Sequence, residues 1–292
     1  MKISLITACY NAERTIADAM ESVGRQRFER FERFERFEKF EKLEIEYIVV
    51  DGGSADGTVE IIKNFADNLS NLSNFSNLSN LSFRWISEKD RGMYDALNKG
   101  IKMATGDVIG ILNADDVLAG DDVLEKVARA FDGSVDGCYG DIRFVRGDFL
   151  TQRHRDTESE LRALRELPTV RYCTGKWFRP WMFRFATMPA HPSIFVRKEC
   201  FEKYGGYSLD YRICADFEMM LRLFWKHRIR AKYLPLCTTV MRMGGASTGG
   251  LKSNVEINRE DLRALRANGY WSCLPLIYLK YFFKIWGFIK RR

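Results

Sequence analysis

The chain has 292 residues, 46% of them hydrophobic, with 46 basic and 39 acidic side chains and a formal charge of +7. That length suits one large α/β domain or two small ones. The charge excess sits partly in the last thirteen residues, five basic and none acidic; with no nucleic-acid-binding motif present, it points to an anionic membrane surface and not to nucleic acid.

Seven cysteines, an odd number with no Cys-x-x-Cys pair, lie mostly in apolar runs. They predict reduced, buried thiols and a reducing compartment. The N-terminal apolar run is too short for a signal peptide and leads straight into a polar turn, so a cytoplasmic chain is expected.

In chain order, Ile3 to Ala8 predicts a strand and Glu13 to Val23 a helix with Ile16, Ala19, Met20 and Val23 inward. Residues 27–43 then repeat Arg-Phe-Glu, and residues 68–82 repeat Asn-Leu-Ser. A period of three matches neither the strand's two nor the helix's 3.6, so both read as low-complexity insertions into connections. Between them, Tyr47 to Val50 predicts a strand, and Thr58 to Phe65 a helix. Phe83 to Ser87 is a strand, Met93 to Met103 a helix, Val108 to Leu112 a strand and Val123 to Phe131 a helix. This alternation predicts a single, Rossmann-like, mostly parallel sheet flanked by helices.

The second half is less regular. Gly137 to Arg146 suggests a strand or hairpin, and residues 154–184 are basic and aromatic without clear periodicity. Ala190 to Val196 gives a turn and strand, Cys200 to Tyr204 and Asp216 to Trp225 helices, Tyr233 to Leu236 a last strand, and Val255 to Ala267 a helix. Residues 1–250 are read as one domain and 251–292 as a helical tail. Leu274 to Ile289 is nearly continuous apolar sequence, interrupted by Lys280 and Lys284 four residues apart. It is too short to span comfortably, and the lysines share a helical face. A helix lying in the membrane interface is expected, against the alternative of a helix packed on the protein's own core.

At the carboxyl end of the Val108 strand come Asn113, Asp115 and Asp116. Ligands of open α/β sheets bind at that edge. Adjacent carboxylates there repel one another and would be neutralised by a hard divalent cation, which keeps positions open for phosphate oxygens.

Five stretches together resemble family 2 glycosyltransferases of the GT-A fold. They are Ser4 to Asn11, Val50 to Thr58, Glu88 to Gly100, Thr105-Gly106-Asp107 and Asn113 to Asp116. The closest flavour is that of bacterial enzymes building capsule, exopolysaccharide or O-antigen chains. The resemblance implies a nucleotide-sugar donor, Mn2+ or Mg2+, and inversion at the anomeric carbon. By motif position, Thr7, Ala8 and Asn11 would line the nucleotide, with Asp51 and Gly53 at its base or ribose. Asp90, Gly92, Asn98, Asn113 and Asp115 would complete the donor contacts. Asp115 and Asp116 resemble the metal-binding acidic pair, the later Asp being the usual direct ligand. Where many members carry a second acid after Asp51, this chain has Gly52, so a base contact would move to Asp90 or to backbone.

An acceptor hydroxyl must lose a proton during transfer, and a carboxylate base is the usual device. Family members often carry Glu-Asp at the start of a late helix, the second acid being the base; here that place is Ala215-Asp216. His191 is expected either to touch acceptor or diphosphate or to hydrogen-bond within its own turn. The resemblance implies a polyprenyl-diphosphate-linked saccharide acceptor at the inner face of the cell membrane. A sugar nucleotidyltransferase and a non-catalytic, membrane-recruited nucleotide-sugar scaffold are the competing readings; the first lacks a Gly-rich, Arg- and Lys-bearing triphosphate loop after its opening strand.

Overall fold

The computed structural model describes residues 1–27, 43–71, 80–146, 157–243 and 251–289. Strand β1 (Lys2–Cys9) is buried along nearly its whole length and sends alternate side chains into two cores. Ile3 and Leu5 face the core that contains α1 (Ile16–Gly24), Ile62 of α2 (Thr58–Asn71) and α4 (Val123–Ala130). Ile6 faces the opposite core, with α3 (Met93–Met103), α6 (Lys198–Tyr204) and α7 (Ala215–Leu221). The period-2 pleat is what lets one strand serve both layers. Each such aliphatic side chain contributes about 1.5–3 kcal/mol by leaving water.

Strands β2 (Glu44–Asp51), β3 (Leu81–Ser87) and β4 (Val108–Ile111) join β1 in parallel, in the order β3-β2-β1-β4. Beyond β4 the expectation of a mostly parallel sheet fails. β8 (Ile194–Arg197) runs antiparallel to β4, and β6 (Gly137–Val145) antiparallel to β8. β9 (Ala231–Arg242) returns parallel to β6, while β5 (Val117–Leu118) and β7 (Thr169–Cys173), which follows α5 (Thr157–Glu166), are antiparallel edges. The sheet is therefore mixed. β7 is partly exposed along its length, a state antiparallel strands tolerate and parallel ones rarely do. At the junction, a Cβ on Gly110 of β4 would stand 2.4 Å from the Phe195 ring, so glycine is what lets β8 lie against β4.

Pro235 sits inside β9, where proline cannot donate to a ladder. The register against β6 shifts between the Tyr139–Tyr233 and Asp141–Cys237 pairs, and β5 covers only Thr239 and Val240 on the other side. The proline thus occupies a bulge with one uncovered flank. All seven cysteines are free thiols, four of them buried, as expected.

The tail forms α8 (Leu251–Ala267) and α9 (Leu274–Ile289). Leu262, Ala264 and Leu265 of α8 and Ile277 of α9 enter the same core as α7. Lys280, expected on an outward, lysine-bearing face, turns inward: its Nζ meets Asp261 at 2.7 Å, and both side chains are buried. The start of α9 is therefore packed on the protein; Lys284 falls outside the residues whose side chains are described. Most of the Arg-Phe-Glu repeat and the middle of the Asn-Leu-Ser repeat also lie outside the described residues, although α2 runs into the second repeat as far as Asn71.

Candidate active site

The carboxyl ends of β1, β2 and β4 lie side by side, and backbone bonds carry the pairing past the strands. Gly52 N–H donates to the Cys9 carbonyl at 2.9 Å, Glu88 to Asp51 at 3.0 Å and Leu112 to Ile6 at 3.0 Å. Asp51 closes β2 with no exposed surface. Its carboxylate accepts the N–H groups of Gly53 at 3.1 Å and Ser54 at 3.0 Å and the Ser87 hydroxyl at 2.7 Å, and also the Ser54 hydroxyl. Burial alone would raise its pKa; the hydrogen bonds from Ser54, Ser87 and Gly53 outweigh burial and hold it below the usual carboxylate range. Asp51 is therefore the organiser of the turn, in which Gly53 takes a φ of 83° that other residues resist.

Asn11, at φ 49°, joins the first loop to this one: its Oδ1 accepts from Ala55 at 3.0 Å and its N–H donates to Ser54 Oγ at 2.7 Å. Thr7 is buried with its hydroxyl 3.0 Å from Tyr47 OH, and Ala8 is partly buried beside it. Asp90 Oδ1 accepts the Gly92 N–H at 2.8 Å just ahead of α3. Asn98, expected at the donor, uses its amide otherwise. It donates to the Tyr207 carbonyl and accepts the Tyr207 N–H, both at 2.8 Å, which braces the segment after α6.

In the acidic pair, Asp115 is partly buried and Asp116 is 1% exposed. Asp116 Oδ2 accepts from Asn113 Nδ2 at 2.8 Å, whereas Oδ1 has no partner. Burial, and then the neighbouring Asp115 charge, push the Asp116 pKa well up, against the opposing Asn113 hydrogen bond and the Arg242 charge. Arg242 ends β9, donates to the Asp115 carbonyl at 3.1 Å and pairs with Asp18.

Asp216 is the second residue of α7 and is partly buried. Its Oδ1 accepts the Phe217 N–H at 2.8 Å and lies 3.2 Å from the Tyr94 hydroxyl, on the first turn of α3. The same hydroxyl donates to the Ile213 carbonyl, so one proton serves two acceptors. Burial pushes the Asp216 pKa up to about 6, against the Phe217 and Tyr94 hydrogen bonds. The Tyr94 ring stacks on Tyr207, centroids 5.5 Å apart, and Tyr207 OH stands 2.6 Å from His191 Nε2. His191 is 8% exposed; burial lowers its pKa to about 4, so the imidazole is neutral at pH 7. It hydrogen-bonds beyond its own turn, into the tyrosine pair that flanks Asp216.

A family-wide profile described as "Glycosyl transferase family 2" matches residues 4–205. The chain belongs to glycosyl transferase family 2. A curated relative from Mycobacterium tuberculosis, a PGL/p-HBAD biosynthesis glycosyltransferase, is 28% identical over 265 residues, which is 90% of this chain and 83% of the relative. A poly-beta-1,6-N-acetyl-D-glucosamine synthase from Staphylococcus epidermidis is 32% identical over 120 residues, covering 41% of this chain and 23% of the synthase. Among solved structures, S. aureus TarS in complex with UDP superposes with a TM-score of 0.57 at 16% identity, over 91% of this chain and 65% of that one; the chain thus spans less than two thirds of the TarS fragment. A mannosyltransferase from Pyrobaculum calidifontis, in complex with GDP-Man and Mn2+, gives a TM-score of 0.58 at 19% identity, over 98% of this chain and 72% of that one. The mixed sheet and its flanking helices are thus GT-A-like.

The glycosyltransferase has a donor set that fits a divalent cation: two adjacent carboxylates, one with a buried oxygen lacking any partner. Among the described residues no cluster of three or more His, Cys, Asp or Glu side chains forms a fuller cage. Sequence reading did not single out Tyr94, Tyr207, Arg242 or Glu260, all of which touch or hold the expected site residues. Tyr94 lay within the Glu88 to Gly100 stretch but carried no signal of its own. The other three lie more than a hundred residues from the elements they serve in the donor half, or act through backbone.

Proposed function

We propose that this glycosyltransferase moves a sugar from a nucleotide-sugar donor to an acceptor hydroxyl by a single inverting displacement, with Asp216 as general base. The observation that carries this reading is the Asp216 carboxylate, partly buried against Tyr94 of the donor-side helix, with its pKa raised to about 6. A base of that strength is largely deprotonated at pH 7 yet strong enough to take a developing proton. Tyr94 steadies the anion by donating a hydrogen bond to it, and when the carboxyl becomes protonated the hydroxyl can direct that bond to the Ile213 carbonyl alone.

Asp115 and Asp116 would hold Mn2+ or Mg2+, which when bound offsets the charge gathering on the departing diphosphate. Solved relatives in complex with UDP, UDP-GlcNAc and GDP-Man support a nucleotide-sugar donor. Asp51 would act by shaping the Gly53 turn around the nucleotide, and Asn11 by locking the first loop to it. His191 would act through Tyr207.

The acceptor is proposed to be a lipid-linked saccharide at the inner face of the cell membrane, in surface polysaccharide or glycoconjugate synthesis. No helix among the described residues is long and apolar enough to cross a membrane. Support for peripheral contact comes from one face. Trp181 and Trp271 are 57% and 68% exposed, and Arg184 lies over the Trp271 ring. Tyr270 OH donates to the Trp181 carbonyl and Ser272 Oγ to that of Arg184, which seats the two segments together. Neither Leu167 to Lys198 nor Leu262 to Arg292 contains an acidic residue. Exposed tryptophans among cations suit an anionic lipid interface.

The experiment is sugar transfer to a polyprenyl-linked acceptor by wild type and Asp216→Asn, with product configuration read by NMR. Loss of turnover with retained donor binding and an inverted product is expected. Near-normal turnover in the variant, or retained configuration, would sink the reading.

A further inference from the structure

Glu260 on α8 grips the turn that delivers Asp216. Its carboxylate accepts three successive backbone N–H groups, from Arg212 at 3.1 Å, Ile213 at 2.9 Å and Cys214 at 3.0 Å. Charge-assisted bonds of this kind are among the stronger ones a protein makes. Ile213 is thereby held at both ends, its N–H by Glu260 and its carbonyl by Tyr94, and Asp216 follows three residues later.

The helix that carries Glu260 is seated in turn from behind. The next residue, Asp261, pairs with Lys280 of α9 in a buried contact of 2.7 Å, and the Cys214 thiol donates to the Ile257 carbonyl of α8 at 3.6 Å. Tyr281 OH donates to Asn258 Oδ1 at 3.3 Å, and Asn268 Nδ2 donates to Glu218 Oε1 of α7 at 3.2 Å. α8 is thus a spacer between the base helix and the C-terminal helix, with polar ties on both sides.

We infer that Glu260 is a positioning residue for the Asp216 carboxylate, and that α9, through Lys280, keeps α8 where Glu260 can act. The inference rests on the reading of Asp216 as the base. It gives the C-terminal helix a task inside the transfer site, apart from any contact with lipid.

The groups that face Asp216 are Tyr94 from α3, Tyr207 from the segment after α6, Cys214 on its own turn, and Glu260 and Asp261 from α8. The test follows the Asp216 carboxyl by 13C NMR in full-length, aspartate-labelled protein, the signal being assigned by its absence in Asp216→Asn. In Glu260→Ala one nearby anion is gone and the loosened turn admits water, so the midpoint should fall from about 6 toward the ordinary carboxylate range. Lys280→Met removes a nearby cation, which by charge alone would raise the midpoint, so a fall in this variant reports the loosened turn. In parallel, release of UDP from UDP-GlcNAc, or of GDP from GDP-mannose, with water as acceptor, should fall on the order of 10²-fold in kcat with KM within a few-fold. Glu260→Asp, which keeps the charge, should recover part of the loss. The titration needs no donor, so it decides even where neither sugar nucleotide is hydrolysed. If Glu260→Ala does not fold, Glu260→Gln keeps its volume and is read in the same way. Wild-type midpoints in both the Glu260 and Lys280 variants would overturn the inference. Full turnover in Asp216→Asn would instead overturn the base assignment and leave the positioning result to stand on its titration.

Discussion

Asp90 occupies the space that a side chain at position 52 would need: a Cβ built on Gly52 would lie 2.4 Å from Asp90 Oδ2. Many members of the family carry an acid at that position, and this chain brings one to the same place from a different loop. The other Asp90 oxygen caps Gly92 N–H, so the carboxylate is pinned and not easily displaced. Restoring an acid by Gly52→Asp should therefore crowd two like charges and weaken donor binding by about tenfold or more. The paired change Gly52→Asp with Asp90→Gly should recover much of it. Calorimetric titration of nucleoside diphosphates into the three variants checks this.

The pH dependence of transfer should follow Asp216. Its pKa is raised to about 6, so kcat should climb as pH rises through that value and level off above it. Asp216→Asn should lose about 10²–10⁴ in turnover and with it that acid limb. Tyr94→Phe removes a hydrogen bond to the carboxylate and should move the limb to higher pH. The measurement is kcat against pH for the three proteins at saturating donor.

Asp116→Ala and chelation of the cation should each lower nucleoside diphosphate affinity, because the buried oxygen without a partner is the acceptor a cation would fill. Manganese titration by paramagnetic relaxation supplies a readout that needs no turnover. Unchanged affinity in both cases would remove the metal from the site.

Truncating the tail is a poor probe of membrane binding, since it would strip Ile277 from the core and leave Asp261 buried without its lysine. Lys280→Met should cost about 3–5 kcal/mol, whereas Asp261→Leu with Lys280→Met should cost far less. Denaturant unfolding measures both. Membrane contact is better tested by Trp181→Ser with Trp271→Ser, which leave the ion pair alone. The doubly substituted protein should sediment less with anionic vesicles than wild type does.

Much of the donor half was legible in the sequence because its signals are local. Met93 to Met103 is helical as its apolar spacing indicates, and the strands near Ile3, Tyr47, Phe83 and Val108 fall in place to within a few residues. Asn113, Asp115 and Asp116 were placed at the carboxyl edge by their position after the Val108 strand, whereas Asn11, Asp51, Gly53 and Asp90 came in through the family resemblance. What stayed hidden depended on partners distant in the chain. β5 is two residues long and exists only against β9; β7 takes its register from β6. Lys280 looked like a surface charge because its counter-ion sits nineteen residues earlier on another helix. Asn98 came in through its motif's resemblance, and its amide's brace to the Tyr207 backbone, 109 residues away, could not be seen there.

The two triplet repeats enter the fold at corresponding places. One lies between α1 and the amino end of β2, the other between α2 and the amino end of β3, so both open on the edge of the parallel sheet away from Asp51 and Leu112. Shortening residues 28–42, or 72–79, to a brief linker should leave folding and donor affinity intact, because loop closure depends only weakly on length. Variants built with more or fewer Arg-Phe-Glu or Asn-Leu-Ser units would then form a length series in which the strands that carry the chemistry keep their register.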